Sequence, residues 1–233
     1  ACGNNAEMMI DQAYKFWGDR KLLTRTDYRT LLSIAGLPFG RFNKSNGLLK
    51  SDLVMKAYEE MYGDRMIEDL PLPTMLQTTE LLTGKPHLLT KGLLREAVYA
   101  SGALFPLLPP LNVNGHWLMD GVYSSPLPVL EAVNNDMDVV IATTYEERTT
   151  TESRSFVSYF MRCQSYSHRW LQRNQTAWSV ELHHHEIVFI NVVFDKYISL
   201  RSTRRIPEIL ESGKQAVDQK KDEIISAIEH FSA

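Results

Sequence analysis

The sequence is poor in cysteine, with only Cys2 and Cys163 among 233 residues. Two thiols are too few for the disulfide framework that stabilises small secreted domains, so a reducing compartment is the simpler expectation. No apolar run reaches the roughly 18–20 residues that a membrane-spanning helix needs. The net charge of −3 at pH 7 gives no sign of a basic surface for nucleic acid. We therefore expect no nucleic-acid partner and a cytoplasmic or membrane-peripheral location.

What the sequence does contain is an ordinary globular composition, with 44% hydrophobic and 23% charged residues. No linker or low-complexity tract interrupts it, so we predict a single domain over residues 1–233. Compact apolar runs at 138–144 and 187–194 predict strands buried on both faces. Helical spacing of apolar residues predicts helices over 5–17, 51–62, 92–101, 156–171 and 206–231. Strands that alternate with helices predict an α/β fold with a mainly parallel sheet flanked by helices.

Shorter signals fill the remaining stretches. Asn114-Gly115 lies between two short apolar runs, which predicts a β-hairpin. Residues 36–49 are rich in glycine, proline and asparagine, which is typical of a loop. The prolines of residues 70–79 favour an extended backbone.

The stretch "GHWLMDGVYSSPLP" (residues 115–128) places Asp120 at the end of an apolar run, directly before Gly121. A carboxylate at the end of a buried strand is costly unless something pairs with it or uses it. On its own, an Asp-Gly pair also fits a hairpin turn without chemistry, and in isolation that interpretation is favoured. The flanking residues decide between the two.

Those residues form a recurring pattern. "LPLPTMLQTTELLTGKPHLL" resembles a strand that leads into a T-D-L-x-T-G segment, and "LLREAVYASGALFPLLPPLNVNGHWLMDGVYSSPLPVLEA" resembles A-x-x-A-S-x-A-x-P-x-x-F-x-P followed by D-G-G/A-x-x-x-x-P and a helix. This order and spacing is similar to that of the patatin-like phospholipases. The matched positions include Ala97, Ala100, Ser101, Ala103, Pro109, Asp120, Gly121, Pro126 and Pro128.

The resemblance implies a three-layer α/β sandwich and a lipid acyl hydrolase that works through a Ser–Asp dyad. Asp120 is then the general base that takes the proton of a serine hydroxyl as it attacks an ester carbonyl. Gly121 lets the chain turn close to the bound substrate. The implied substrate is a phospholipid or lysophospholipid ester, and the implied reaction uses neither a metal nor another cofactor.

The sequence departs from the family pattern at three places. Val122 replaces the second glycine, Leu104-Phe105 stands where the proline after A-S-x-A is usual, and Glu80 stands where an aspartate is usual. None of these changes removes the base, but each bears on substrate preference.

The larger departure concerns the nucleophile. The family serine lies on a Gly-x-Ser-x-Gly elbow, and no such motif occurs in the sequence. We expect the first strand, the oxyanion loop and the nucleophilic serine to precede Ala1. Ser101, in "YASGA", is a weaker alternative nucleophile because no glycine stands two residues before it. Cys2 is interpreted as a helix-packing residue.

Several other polar residues are candidates for binding or catalysis. His183–His185 are consecutive residues beside a strand, so they point to alternate sides and do not form one metal-ligand set. His116 is interpreted as a strand residue rather than a second base. Basic residues accompany the aromatic helix and indicate either a solvated face or a peripheral membrane contact. These are Arg154, Arg162, Arg169 and Arg173.

Two other functions stay open from the sequence alone. The first is a non-catalytic relative that binds lipid or a protein partner, and the second is a general carboxylesterase for soluble esters.

Overall fold

A computed structural model of the protein describes most of the sequence. The described residues are 3, 5–19, 21–135, 137–147, 156–182, 186–195 and 203–232. Their contacts group into two compact units, Ala1–Ser125 and Pro126–Ala233. The single domain over residues 1–233 stays a prediction.

The described residues of the first unit form four α-helices and four strands. In chain order they are α1 (Ala6–Gly18), α2 (Tyr28–Ile34), α3 (Asp52–Tyr62), β1 (Leu76–Glu80), β2 (Pro86–Leu89), α4 (Leu94–Ser101), β3 (Leu111–Val113) and β4 (His116–Asp120). The predicted helices at α1, α3 and α4 are confirmed. Helix α2 was not predicted, and Asp27 begins it by accepting hydrogen bonds from the backbone N–H groups of Arg29 and Thr30 at 3.0 and 3.3 Å.

The four strands form one sheet in the order β2-β1-β4-β3, and each neighbouring pair is antiparallel. The expectation of a mainly parallel sheet is therefore wrong for this unit. Residues 81–85 connect β1 to β2 and only Asn114-Gly115 connects β3 to β4, whereas a parallel pair needs a crossover of a dozen or more residues. Asn114 and Gly115 have φ values of 52° and 90°, which confirms the predicted hairpin turn.

Helix α4 covers one face of this sheet. Its residues Leu94, Ala97 and Ala100 recur every third position and are at most 3% exposed, as expected for one face of a helix. They share a core with Leu118 of β4 and Val113 of β3. The small side chains at Ala97 and Ala100 allow the helix to lie close to the strands, and this packing fixes β4 and the residues that follow it.

The part of the second unit that the structure describes has three α-helices and two strands. They are α5 (Val129–Val133), β5 (Val139–Glu147), α6 (Phe156–Leu182), β6 (Glu186–Phe194) and α7 (Ile206–Ser232). Strands β5 and β6 pair in parallel, with Val139 opposite Glu186, so the α/β fold class and a parallel sheet are confirmed here. Burial alternates along β6, where Val188 and Ile190 are buried and Asn191 is exposed, so burial on both faces was too strong an expectation. None of the described helices combines the length and hydropathy needed to cross a membrane.

Candidate active site around Asp120

Asp120 is the last residue of β4, and its backbone is held on both sides. It pairs in register with Thr78 of β1, and its N–H donates to the carbonyl oxygen of Ala103 at 3.1 Å. Its side-chain Oδ1 accepts a hydrogen bond from the N–H of Val122 at 2.9 Å. This bond caps a short 3-10 turn, Gly121–Tyr123, so the carboxylate lies in a fixed position beyond the end of the strand.

The electrostatic environment of Asp120 is unusual for a carboxylate. Burial raises its pKa from the ordinary 3.8 to about 6, and the hydrogen bond from Val122 opposes that rise. Among the described residues, no lysine, arginine or histidine forms an ion pair with it. A partly buried acid without a counter-ion is unfavourable for stability, and a pKa near neutrality suits a general base.

Gly121 is required by the space around it. A Cβ atom at this position would lie 2.7 Å from both the backbone oxygen and the Cγ of Gln77 on β1. The sequence predicted that Gly121 brings the chain close to bound substrate. In the structure, the close approach of Gly121 is to Gln77, so a side chain here would push the turn of Asp120 away from the sheet.

A polar network lies beneath the turn. The hydroxyl oxygens of Thr79 and Ser124 are 2.7 Å apart, and the Gln77 side-chain amide donates to the carbonyl oxygen of Thr78 at 2.9 Å. Thr78 and Thr79 are fully buried. Because unsatisfied buried polar groups are costly, this network sets the position of the turn relative to β1. Neither Gln77 nor Ser124 belongs to a motif, so the sequence gives no signal for either residue.

Ser101, the alternative nucleophile, is engaged elsewhere. Its hydroxyl donates to the carbonyl oxygen of Gln77 at 2.8 Å. No hydrogen bond joins Ser101 to Asp120 within the part of the chain that the structure describes. The arrangement fits a supporting role in which Ser101 of α4 fixes β1.

Tyr123 links the turn to the segment before β3. Its hydroxyl donates to the carbonyl oxygen of Phe105, one of the residues that departs from the family pattern. Burial, together with the nearby charge of Asp120, raises the pKa of Tyr123 to about 12. Tyr123 therefore keeps its proton at physiological pH and acts as a hydrogen-bond donor.

Glu80 and His116 form a separate pair at the far end of the sheet from Asp120. The Nδ1 atom of His116 is 3.2 Å from a carboxylate oxygen of Glu80, whose other oxygen accepts from the hydroxyl of Thr83. The hydrogen bond from Thr83, then that from His116, lowers the pKa of Glu80. His116 begins β4 and Asp120 ends it, about 13 Å apart along an extended strand. His116 is thus not a second base beside Asp120.

The basic and cysteine candidates are only partly described. Arg169 and Arg173 of α6 lie over the rings of Tyr166 and Trp170, each at 5.6 Å. The structure does not describe five of the candidate residues, Cys2, Arg154 and His183–His185.

The fold and site define an α/β protein with a carboxylate, followed by glycine, at the end of a central strand. A sequence model of the patatin-like phospholipase family matches residues 1–133, more than half of the chain. The chain belongs to this family.

Curated relatives agree with the family assignment. An uncharacterised NTE family protein of Mycobacterium tuberculosis is 33% identical over 98 residues, which are 41% of this chain and 27% of that protein. The rat patatin-like phospholipase domain-containing protein 7 is 37% identical over 98 residues, 41% of this chain and 7% of its own length. Lysophospholipase NTE1 of Yarrowia lipolytica is 38% identical over 81 residues, 35% of this chain and 6% of the yeast protein. The matches thus span about a quarter or less of each relative.

Proposed function

We propose that this protein is a serine acyl hydrolase for lipid esters, with Asp120 as its general base. The observation that carries the proposal is the environment of Asp120, which is partly buried, has no ion-pair partner among the described residues and has a pKa of about 6. Membership of the patatin-like phospholipase family supports the reaction class.

In the proposed reaction, a serine hydroxyl attacks the ester carbonyl carbon while its proton passes to the Asp120 carboxylate. The tetrahedral intermediate then expels the alcohol, which takes the proton from Asp120 and leaves an acyl-enzyme. A water molecule next loses a proton to Asp120 and attacks the acyl carbon, and the proton returns to the departing serine oxygen. The sequence contains no Gly-x-Ser-x-Gly elbow, so the proposal assigns the nucleophile to a serine before Ala1.

The proposed substrate class is a phospholipid or lysophospholipid. The yeast relative is named a lysophospholipase, which favours a substrate with one acyl chain and a polar headgroup. A peripheral contact with a membrane surface is part of the same proposal, because such esters lie at lipid–water interfaces.

The test is hydrolysis by the full-length protein as its organism makes it, combined with fluorophosphonate labelling. Asp120→Asn keeps the shape and the acceptor for Val122 but cannot take a proton, so we expect hydrolysis to fall by about 10²–10⁴-fold. Glu80→Gln is the matched carboxyl control and leaves hydrolysis within about twofold. The label is expected on a serine that precedes Ala1.

Other outcomes would replace the proposal. Unchanged hydrolysis in a folded Asp120→Asn protein would refute the role of the base. A folded parent protein that neither takes the label nor hydrolyses lipid would favour a non-catalytic binding domain. Rapid cleavage of short-chain soluble esters with none of lysophospholipid would favour a general carboxylesterase.

A further inference from the structure

The first unit exposes a group of large apolar side chains between residues 28 and 44. Single exposed apolar residues are ordinary on protein surfaces, but a group of them marks an interaction site. Phe39 has 91% of its surface exposed and Ile34 has 67%. The exposed apolar residues of this group are Tyr28, Leu31, Ile34, Leu37, Phe39 and Phe42.

Helix α2 and the loop after it form one structured surface, which we call the 28–44 surface. The N–H of Arg41 donates to the carbonyl oxygen of Arg29 at 3.2 Å, so the loop returns to the start of the helix. A Cβ on Gly40 would lie 2.3 Å from the backbone nitrogen of Ser33, so the loop and the helix are in direct backbone contact. Phe39 is therefore presented by an ordered turn.

The backbone of Phe39 is itself in an unfavourable conformation. Its φ is 66°, in the left-handed region that aromatic residues seldom adopt. With its side chain almost fully exposed, Phe39 gains little from packing within the described chain to offset this strain. A strained and exposed aromatic residue points to a role in contact with another molecule.

The charge of the 28–44 surface indicates what that molecule is. Residues 28–44 include Arg29, Arg41 and Lys44 and no aspartate or glutamate, and the neighbouring Asp27 accepts the backbone hydrogen bonds of Arg29 and Thr30. Arg29 and Arg41 are exposed, and neither forms an ion pair with a described carboxylate. This combination fits an anionic lipid surface. Exposed aromatic and aliphatic side chains insert into the membrane interface, and exposed basic side chains bind the lipid phosphates.

The same surface connects to the candidate active site through two contacts within the first unit. The rings of Phe42 and Phe105 have centroids 6.3 Å apart. Phe105 in turn accepts the hydroxyl hydrogen bond of Tyr123, whose pKa responds to Asp120. Contacts of Phe42, Phe105 and Tyr123 thus link the 28–44 surface to the turn of Asp120.

We propose that the 28–44 surface docks the protein on anionic phospholipid bilayers. Leu37, Phe39 and Phe42 enter the boundary between headgroups and acyl chains, while Arg29 and Arg41 bind lipid phosphates. The proposal deepens the proposed lipid hydrolase function by naming the surface through which substrate is approached. Vesicle binding itself needs no catalysis, so the two proposals fail separately.

The experiment measures sedimentation of the full-length protein with phosphatidylcholine vesicles, with and without phosphatidylglycerol, at low salt. Phe39→Asn removes the exposed ring, and asparagine tolerates the left-handed backbone, so the variant folds at least as well as the parent. We expect its affinity for mixed vesicles to fall by about tenfold or more. Arg29→Gln and Arg41→Gln should each lower the affinity about fivefold for mixed vesicles and little for neutral ones.

Matched controls come from exposed residues elsewhere in the unit. Leu82 is 74% exposed after β1, and the Lys56 side chain is 71% exposed on α3. Leu82→Ser and Lys56→Gln should bind vesicles as the parent does, and so should Asp120→Asn.

The outcomes separate the two proposals. Vesicle binding that is lost in Phe39→Asn and kept in Leu82→Ser supports the docking surface, even if no variant hydrolyses lipid. Lipid hydrolysis with unchanged binding in Phe39→Asn overturns the docking surface and leaves the hydrolase. A parent protein that does not bind vesicles refutes the docking surface. A Phe39→Asn variant that changes from dimer to monomer in sedimentation velocity shows that a second copy covers this surface. That result also overturns the proposal.

Discussion

Replacing Asp120 with asparagine should stabilise the fold at neutral pH. The pKa of Asp120 is about 6 in the folded protein against an ordinary 3.8, so folding opposes its ionisation. Because the pKa of this carboxyl group is higher in the folded protein, its ionisation destabilises the native state once the pH exceeds the pKa of the unfolded chain. The cost grows between pH 3.8 and 6 and is constant above. At 1.36 kcal/mol per pKa unit, this amounts to about 3 kcal/mol at pH 7.5 and about 1 kcal/mol at pH 4.5.

The assay is urea unfolding of parent and Asp120→Asn at those two pH values. Asparagine keeps the oxygen that accepts from Val122, so the variant differs from the parent mainly in charge. We expect the gain in unfolding free energy to be larger at pH 7.5 than at pH 4.5. Glu80→Gln is the opposite control, because the pKa of Glu80 is lowered and its removal brings no gain at pH 7.5. A gain that is absent, or equal at the two pH values, would refute the reasoning.

Three further changes test the surroundings of Asp120 and the entry to α2. Gly121→Ala places a methyl group 2.7 Å from the Gln77 carbonyl oxygen, and we expect about 1–3 kcal/mol lower unfolding free energy in urea. In Gly102→Ala the added Cβ meets its nearest atom at 3.6 Å, so an equal loss there would contradict the steric explanation. Asp27→Ala removes the acceptor at the start of α2 and should cost about 1 kcal/mol in thermal unfolding, whereas Asp27→Asn keeps the acceptor and most of the stability. Ser101→Ala should cost about 1 kcal/mol and leave fluorophosphonate labelling intact, and loss of the label in the folded variant would make Ser101 the nucleophile.

The confirmed sequence predictions rest on the local spacing of apolar residues and on residues that favour turns. Helices α1, α3, α4 and α7 were found because their apolar residues repeat at helical spacing over at least two turns. The β3–β4 hairpin was found because Asn114-Gly115 suits the positive φ values that its turn requires. These signals come from residues that are close together in the chain, so they can be recognised in a single sequence.

Such local signals do not determine which strands pair with one another. Strand β1 pairs with β4, although β2, α4 and β3 lie between them in the chain, and the spacing of apolar residues does not specify this neighbour. Alternating strands and helices favoured parallel pairing, but short connections make β1–β2 and β3–β4 antiparallel, and the β1–β4 pair is antiparallel as well. Helix α2 is seven residues long and lies beside a glycine-rich loop, so its pattern was too short to detect, although Asp27 supplied a cap signal.

The candidate site was predictable only in its central residue. The order of the family motifs predicts Asp120 as the base. Its raised pKa results from burial in the folded protein, which no motif specifies. Gln77 and Ser124 belong to ordinary strand and turn sequence, and their roles arise from being brought together by the sheet. The exposure of Phe39 is likewise a property of the tertiary structure.

The pairing of β1 with β4 has a consequence for the order of folding. The contact between Thr79 and Ser124 joins residues 45 positions apart in the chain, so it closes a long loop. Because closing a long loop costs chain entropy, we expect this contact to form after the hairpin and the helices of the unit. Burial in the folded protein raises the pKa of Asp120, so we expect Asp120 to have an ordinary pKa while its surroundings are still assembling. The proposed base would then gain its raised pKa only in molecules in which β4 has docked.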